Sequence, residues 1–212
     1  MFTMDSLVYK MAVWVMRLAY VNLLWIAITI LGLVIFGFFP ATVAMFAVVR
    51  QWIKGETEIA IFRTFWSHYK RHFMKTNIAG MLMMLVGVII YWNLLFFIDM
   101  NSQVGAMFFY FTMAIALVYC MVASFIIPVY VHYDIKAIHY VKYAFIISLS
   151  YPHHAVYIGF STFVIVYATL FFPVLFLFFS GSFLSLLIMR FAYVVFEKVE
   201  KKNANERVAV ET

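Results

Sequence analysis

LAYVNLLWIAITILGLVIFGFF, residues 18–39, runs for 22 positions without a charged side chain. A helix rises about 1.5 Å per residue and a bilayer's hydrocarbon core is about 30 Å thick, so about 20 apolar residues make one crossing. Backbone amides in hydrocarbon find no water, so such a stretch pairs them internally as a helix. The same reading extends outward along the chain. Residues 78–98 are uncharged for 21 positions, and residues 104–132 hold no Asp, Glu, Lys or Arg. Residues 155–189 are uncharged for 35 positions, too many for one upright crossing, and Pro173 divides them. The expected spans are 18–39, 77–98, 104–131, 155–172 and 174–196, with a short further one at 41–54. The fold class is therefore an all-α membrane protein, a bundle of five to six transmembrane helices.

Composition supports this from the opposite direction. Of 212 residues 67% are hydrophobic and 11% charged, with mean hydropathy +1.01. A soluble domain has about 45–50% apolar and about 25% charged residues. Nine acids and fifteen bases cannot build a polar shell here, so the excess apolar surface faces lipid. The net charge of +6 does not point to nucleic acid, because the bases flank spans, where lipid phosphate and topology account for them. Cys120 is the single cysteine. It allows no internal disulfide and reads as a small apolar side chain. The first apolar run is followed by no small-residue cleavage site and reads as a retained span rather than a signal peptide.

Residues 37–54 are the ambiguous stretch. Gly37 and Pro40 read as a hairpin turn. Ala41–Val49 then covers only half a bilayer before Arg50 and Lys54, whose stems can snorkel. A re-entrant half-helix is the other reading. Charge bears on the choice. Region 50–76 carries Arg50, Lys54, Arg63, Lys70, Arg71 and Lys75; region 133–152 carries Lys136 and Lys142; the tail carries Lys198, Lys201, Lys202 and Arg207. The connections near 99–103 and 173–181 carry no Lys or Arg. The positive-inside rule places the basic segments and the C-terminus in the cytoplasm of a bacterial cell membrane. Lys10 and Arg17 put the N-terminus there too, which requires an even number of crossings and favours six over five.

Two stretches outside the spans are amphipathic. Ile59, Phe62, Phe65, Tyr69 and Phe73 recur at helical spacing among the charges of 58–75, and 135–150 repeats the pattern with Ile135, Ile138, Val141, Phe145 and Leu149. Both predict helices lying in the interface. Each follows a hairpin of spans, which suggests a weak parallel repeat. Residues 1–197 form a single membrane domain, and 198–212 a polar cytoplasmic tail.

Few side chains nominate chemistry. His68 and His72 stack on one helix face, but Lys70 and Arg71 between them disfavour a cation, and the Glu of a metalloprotease motif is missing. His132, His139, His153 and His154 read as boundary residues rather than as a pH-sensitive or ligand-binding cluster. Arg190 snorkels from the last span. Asn22, Asn93 and Ser180-Gly181-Ser182 read as ties between helices. No acid lies deep in a span, where coupled transporters place one. Neither a nucleotide-binding loop nor a catalytic triad is present, so the expectation is no enzyme, no metal and no cofactor.

Asn22-Leu23-Leu24-Trp25, Gly37, Pro40-Ala41-Thr42-Val43-Ala44-Met45, Val48-Val49-Arg50, Gly55-Glu56 and Phe65-Trp66-Ser67-His68-Tyr69-Lys70-Arg71-His72-Phe73 follow one another in a cadence that resembles the YesL-like family of small bacterial membrane proteins. The resemblance is concentrated in residues 18–80; Pro40 stands close to where many members have Gly or Ser. It implies no catalytic residues. Members are commonly encoded beside carbohydrate ABC importers, which implies a role alongside sugar uptake. Together with the basic, aromatic segment at 58–75 and the lack of buried charge, the expected function is an accessory membrane subunit that binds the importer's permease and supports sugar uptake. The expected contact residues on the basic, aromatic segment are Phe65, Trp66, Tyr69, Lys70 and Phe73, with membrane lipid as the surrounding partner. The alternative is a stand-alone transporter or channel with a polar path past Asn22, Asn93, Thr112 and Ser124. A membrane-bound enzyme ranks last.

Overall fold

A computed structural model describes residues 7–100, 102–133 and 137–211, with the side chains of all of these except 137–138 and 203–211. The calls on Ile135, Lys136, Ile138 and Arg207 lie outside the described side chains. Among the described residues every regular element is helical: α1 Leu7–Leu31, α2 Ile35–Ile53, α3 Ile61–Asp99, α4 Gln103–His132, α5 Ala137–Ser150, α6 Pro152–Phe171, α7 Pro173–Phe178 and α8 Ser180–Glu211. Five of them, α1, α2, α3, α4 and α6, are long and apolar enough to cross a membrane. The chain is an all-α, multi-pass membrane protein.

The centre of the bundle is α2, which touches α1, α3, α4 and α8. It was expected to be a half-length span behind a turn at Gly37 and Pro40. Instead both residues lie inside a full helix of 19 residues, and both are buried. The turn falls earlier. Leu33 and Val34 carry φ of 56° and 62°, and the Ile35 N–H donates to the Leu33 carbonyl at 2.7 Å. That is a γ-turn centred on a β-branched residue, a strained conformation. Pro40 is tolerated because its missing N–H leaves the Phe36 carbonyl free, and Asn77 Nδ2 of α3 donates to that carbonyl at 2.9 Å. The proline thus becomes a tie between α2 and α3. Gly37 lets α1 close on α2: a Cβ there would stand 2.5 Å from the Thr29 carbonyl oxygen.

The interfacial helix expected at 58–75 and the span expected at 77–98 are one continuous helix, α3. No proline or glycine pair interrupts Lys75–Asn77, so the helix has no reason to stop. In the second expected unit the corresponding junction holds Pro152, and there the chain does break, giving α5 and α6. The repeat is therefore only partial. The expected span 174–196 is also divided, at Phe179, into α7 and α8. The core comprises the inner faces of α2 and α8 with Val21, Phe65, Phe125, Val129 and Ile158.

Candidate functional site

Two features stand out. One is a polar cluster where the C-terminal ends of α2 and α4 meet the start of α3 and the far part of α8. Arg50 Nη2 donates to the His132 carbonyl at 3.1 Å, and Arg50 Nε lies 3.5 Å from His132 Nδ1. His132 Nε2 in turn meets Glu200 at 3.1 Å. His72 Nδ1 lies 2.7 Å from the Tyr130 hydroxyl, and the His68 and His72 rings stack at 5.9 Å. Burial, then Glu200 and Tyr143, push the Tyr133 phenol up to about 12. Arg50, His68, Arg71, His72, Tyr130 and His132 surround a cavity of about 210 Å³. Sequence reading treated Arg50 as a snorkelling flank and the histidines as boundary residues. What it lacked was the pairing of elements, because Arg50 and His132 are 82 positions apart.

The other feature is the outer half of the α3–α4 hairpin. Leu82, Leu85, Tyr91, Trp92, Phe96, Met107, Tyr110 and Phe111 are all exposed, and no residue in the most apolar window of α3 is buried within the fold. At the other end of the same helix Phe62, Trp66 and Tyr69 stack in sequence, and Lys70 Nζ lies 4.9 Å over the Trp66 ring.

The nominated contact residues divide. Phe65 is fully buried and Tyr69 is 9% exposed, so both belong to the core and cannot meet a partner. The 3.6-residue period turns this stripe toward α2 rather than outward. Lys70 is exposed, and Trp66 and Phe73 are partly so. The polar path expected from Asn22, Asn93, Thr112 and Ser124 is not assembled. Asn93 is exposed and donates to its own helix at Ile89, and Ser124 donates to Cys120. Asn22 is wholly occupied: Oδ1 accepts from the Gly181 and Ser182 N–H groups, while Nδ2 donates to the Phe176 and Leu177 carbonyls. One side chain thereby satisfies both sides of the α7–α8 break. His139, His153 and Arg190 are exposed, and His154 is buried beside Tyr151 and Tyr157. Among the described residues no group of three or more His, Cys, Asp or Glu is placed to hold a metal ion.

These features define a polytopic helical membrane protein with one polar, basic end and an unpaired apolar hairpin. The family profile described as "Protein of unknown function, DUF624" matches residues 18–94. "Uncharacterized protein YteU" of Bacillus subtilis (strain 168) is 36% identical over 188 residues, covering 89% of this chain and 84% of the relative. "Uncharacterized protein YesL" of the same organism is 32% identical over 196 residues, covering 92% of each, and "Uncharacterized protein YesV" is 29% identical over 189 residues, covering 89% and 91%. No solved structure matches. The chain belongs to the YesL-like family.

Proposed function

We propose that the protein is an accessory integral membrane subunit that binds the permease of a carbohydrate ABC importer and supports uptake of a sugar or oligosaccharide. The observation that carries this reading is α3. Its 39 residues amount to about 58 Å of helix, nearly twice the thickness of a bilayer's core. It offers Phe62, Trp66 and Lys70 at one end and an unpacked apolar face at the other. A partner with both a membrane bundle and a cytoplasmic flank fits such a rib along its length. The basic end is taken as cytoplasmic, where positive charge accumulates; with α7 and α8 counted as a sixth crossing beside the five apolar helices, both termini fall on the cytoplasmic side of a bacterial membrane. The choice of a carbohydrate importer rests on the family resemblance.

A stand-alone transporter is less well supported. A broken helix at membrane depth is where transporters bind solutes, through free backbone groups. Here Asn22 already takes up those groups. Affinity purification from native membranes in mild detergent tests the proposal. Permease subunits are expected to co-purify with the wild-type chain and to be lost when Leu85, Trp92 and Phe96 are changed together to Ala. Recovery of the chain alone, under conditions that keep the importer intact, overturns it. Sugar flux in liposomes containing only this chain would establish the transporter reading instead.

A further inference from the structure

The basic cavity does not stand alone. A second cavity of about 330 Å³ lies between α2, α3 and α4, lined among others by Phe38, Phe39, Ala79, Met83, Ala123 and Ile127. Val43 and Tyr130 form part of the wall of both cavities. A polar, cationic chamber therefore adjoins an almost wholly apolar one. We propose that together they form a phospholipid site, with the headgroup phosphate held in the basic chamber and one acyl chain in the apolar cleft.

The charge balance of the first chamber suits a phosphate. Arg50 and Arg71 contribute fixed positive charges, and His68 and His72 contribute ring nitrogens, while both ring nitrogens of His132 are turned to Arg50 and Glu200. Among the described residues no carboxylate lines it. Glu200 approaches through His132, and Glu56 acts on Arg50 from the connection after α2. Two N–H groups of Arg50 are turned to His132, but a guanidinium has five, and its planar fork matches a phosphate better than an ammonium does. Tyr130, whose hydroxyl meets His72, and Tyr133 complete the lining with phenol groups. The second chamber decides between a lipid and a free phosphate. A soluble phosphate has no use for an apolar cleft, whereas the acyl chain of a bilayer lipid can fill it with van der Waals contacts without leaving hydrocarbon surroundings. A net anionic headgroup is preferred, because a choline would bring a cation to the arginines.

The test titrates purified protein in neutral detergent with dioleoylphosphatidylglycerol, dioleoylphosphatidylcholine and inorganic phosphate. Bound species are counted by native mass spectrometry, and thermal melts report the folding of each variant. Phosphatidylglycerol is expected to bind in preference to phosphatidylcholine and phosphate. The pair His68→Gln with Arg71→Gln is expected to weaken it about tenfold or more. Ala123→Phe, which fills the cleft, is expected to weaken it similarly. If that variant fails to fold, Ala79→Phe takes its place from the opposite wall. The control pair Arg63→Gln with Lys75→Gln removes more fixed charge from the same helix outside the chamber, and is expected to change binding less than about threefold. The proposal is overturned by a control that loses as much as the pocket variant, since attraction would then be diffuse. It is also overturned by cleft variants without effect, by inorganic phosphate binding as tightly as the lipid, or by no bound lipid at all.

Discussion

Helix α2 and the outer part of α3 are both apolar, yet they have opposite fates. The apolar window of α3 is the more hydrophobic of the two, and none of it is buried, while two-thirds of the α2 window is enclosed. In water this would be paradoxical. In lipid it is expected, because tails are as apolar as leucine and hydrophobicity alone drives no helix association. What α2 has instead is small residues, Gly37, Ala41, Ala44 and Ala47, all buried, and polar ties to its neighbours through Thr42 with Trp25 and through Phe36 with Asn77. The outer part of α3 is built of Leu, Met, Ile and Trp, and Asn93 spends its amide on its own helix. Size and hydrogen bonding separate core from periphery here.

The contrast can be broken most sharply at the two asparagines. Asn22→Ala strips partners from four backbone groups and is expected to cost about 2–3 kcal/mol. Asn93→Ala should stay within about 0.5 kcal/mol. Unfolding in mixed micelles measures both, and equal losses would mean that the ties do not distinguish the regions. A smaller contrast comes from size. Ala44→Leu, at a fully enclosed position, is expected to cost about 1–3 kcal/mol through overpacking. Ala114→Leu, on the exposed face of α4, should be neutral within about 0.5 kcal/mol. Thermal melts of the two proteins decide whether the enclosed face is as tight as its small residues imply.

A double-mutant cycle sharpens the reading of α2 itself. Asn77→Ala should cost about 1 kcal/mol in the wild-type chain and at most about half that beside Pro40→Ala, which restores a backbone donor for the Phe36 carbonyl. Additive losses would dissolve the link between the proline and the amide. The smallest effect is a titration at the polar end. The folded state holds the Tyr133 phenol up to about 12, above its ordinary value of about 10. The folded chain thus keeps this proton more tightly than the unfolded chain does. Its contribution to stability is complete below pH 10 and is lost as pH rises through about 12. Melting temperatures between pH 9 and 12 should fall more steeply for wild type than for Tyr133→Phe, and absorbance at 295 nm should show one late-titrating phenol missing in the variant.

Much of the architecture was legible because long uncharged runs leave a membrane chain few alternatives. The run at 104–132 corresponds closely to α4, and the run at 78–98 lies wholly within α3. The errors cluster where a local signal competed with the surroundings. Pro40 reads as a breaker, but a donor 37 positions away in sequence absorbs its cost. The helix expected in the interface at 58–75 ran on into a span because nothing at 75–77 stops it, and its aromatic stripe turned inward, taking Phe65 and Tyr69 from the surface. The polar cluster was invisible for a different reason. Arg50, His68, Tyr130, His132 and Glu200 are ordinary boundary residues one at a time, and only the order in which helices pack makes them neighbours.

The closure of the α7–α8 break by Asn22 has a consequence for biosynthesis. α1 leaves the ribosome before α7 and α8, so this amide stays without its distant partners until residues 176–182 have been made. The amides and carbonyls at the α7–α8 break, equally, cannot settle in hydrocarbon until they reach α1. α1 and the α7–α8 break therefore act as a latch that engages only once both have been made, and a product truncated before Phe176 would carry a bare asparagine in lipid.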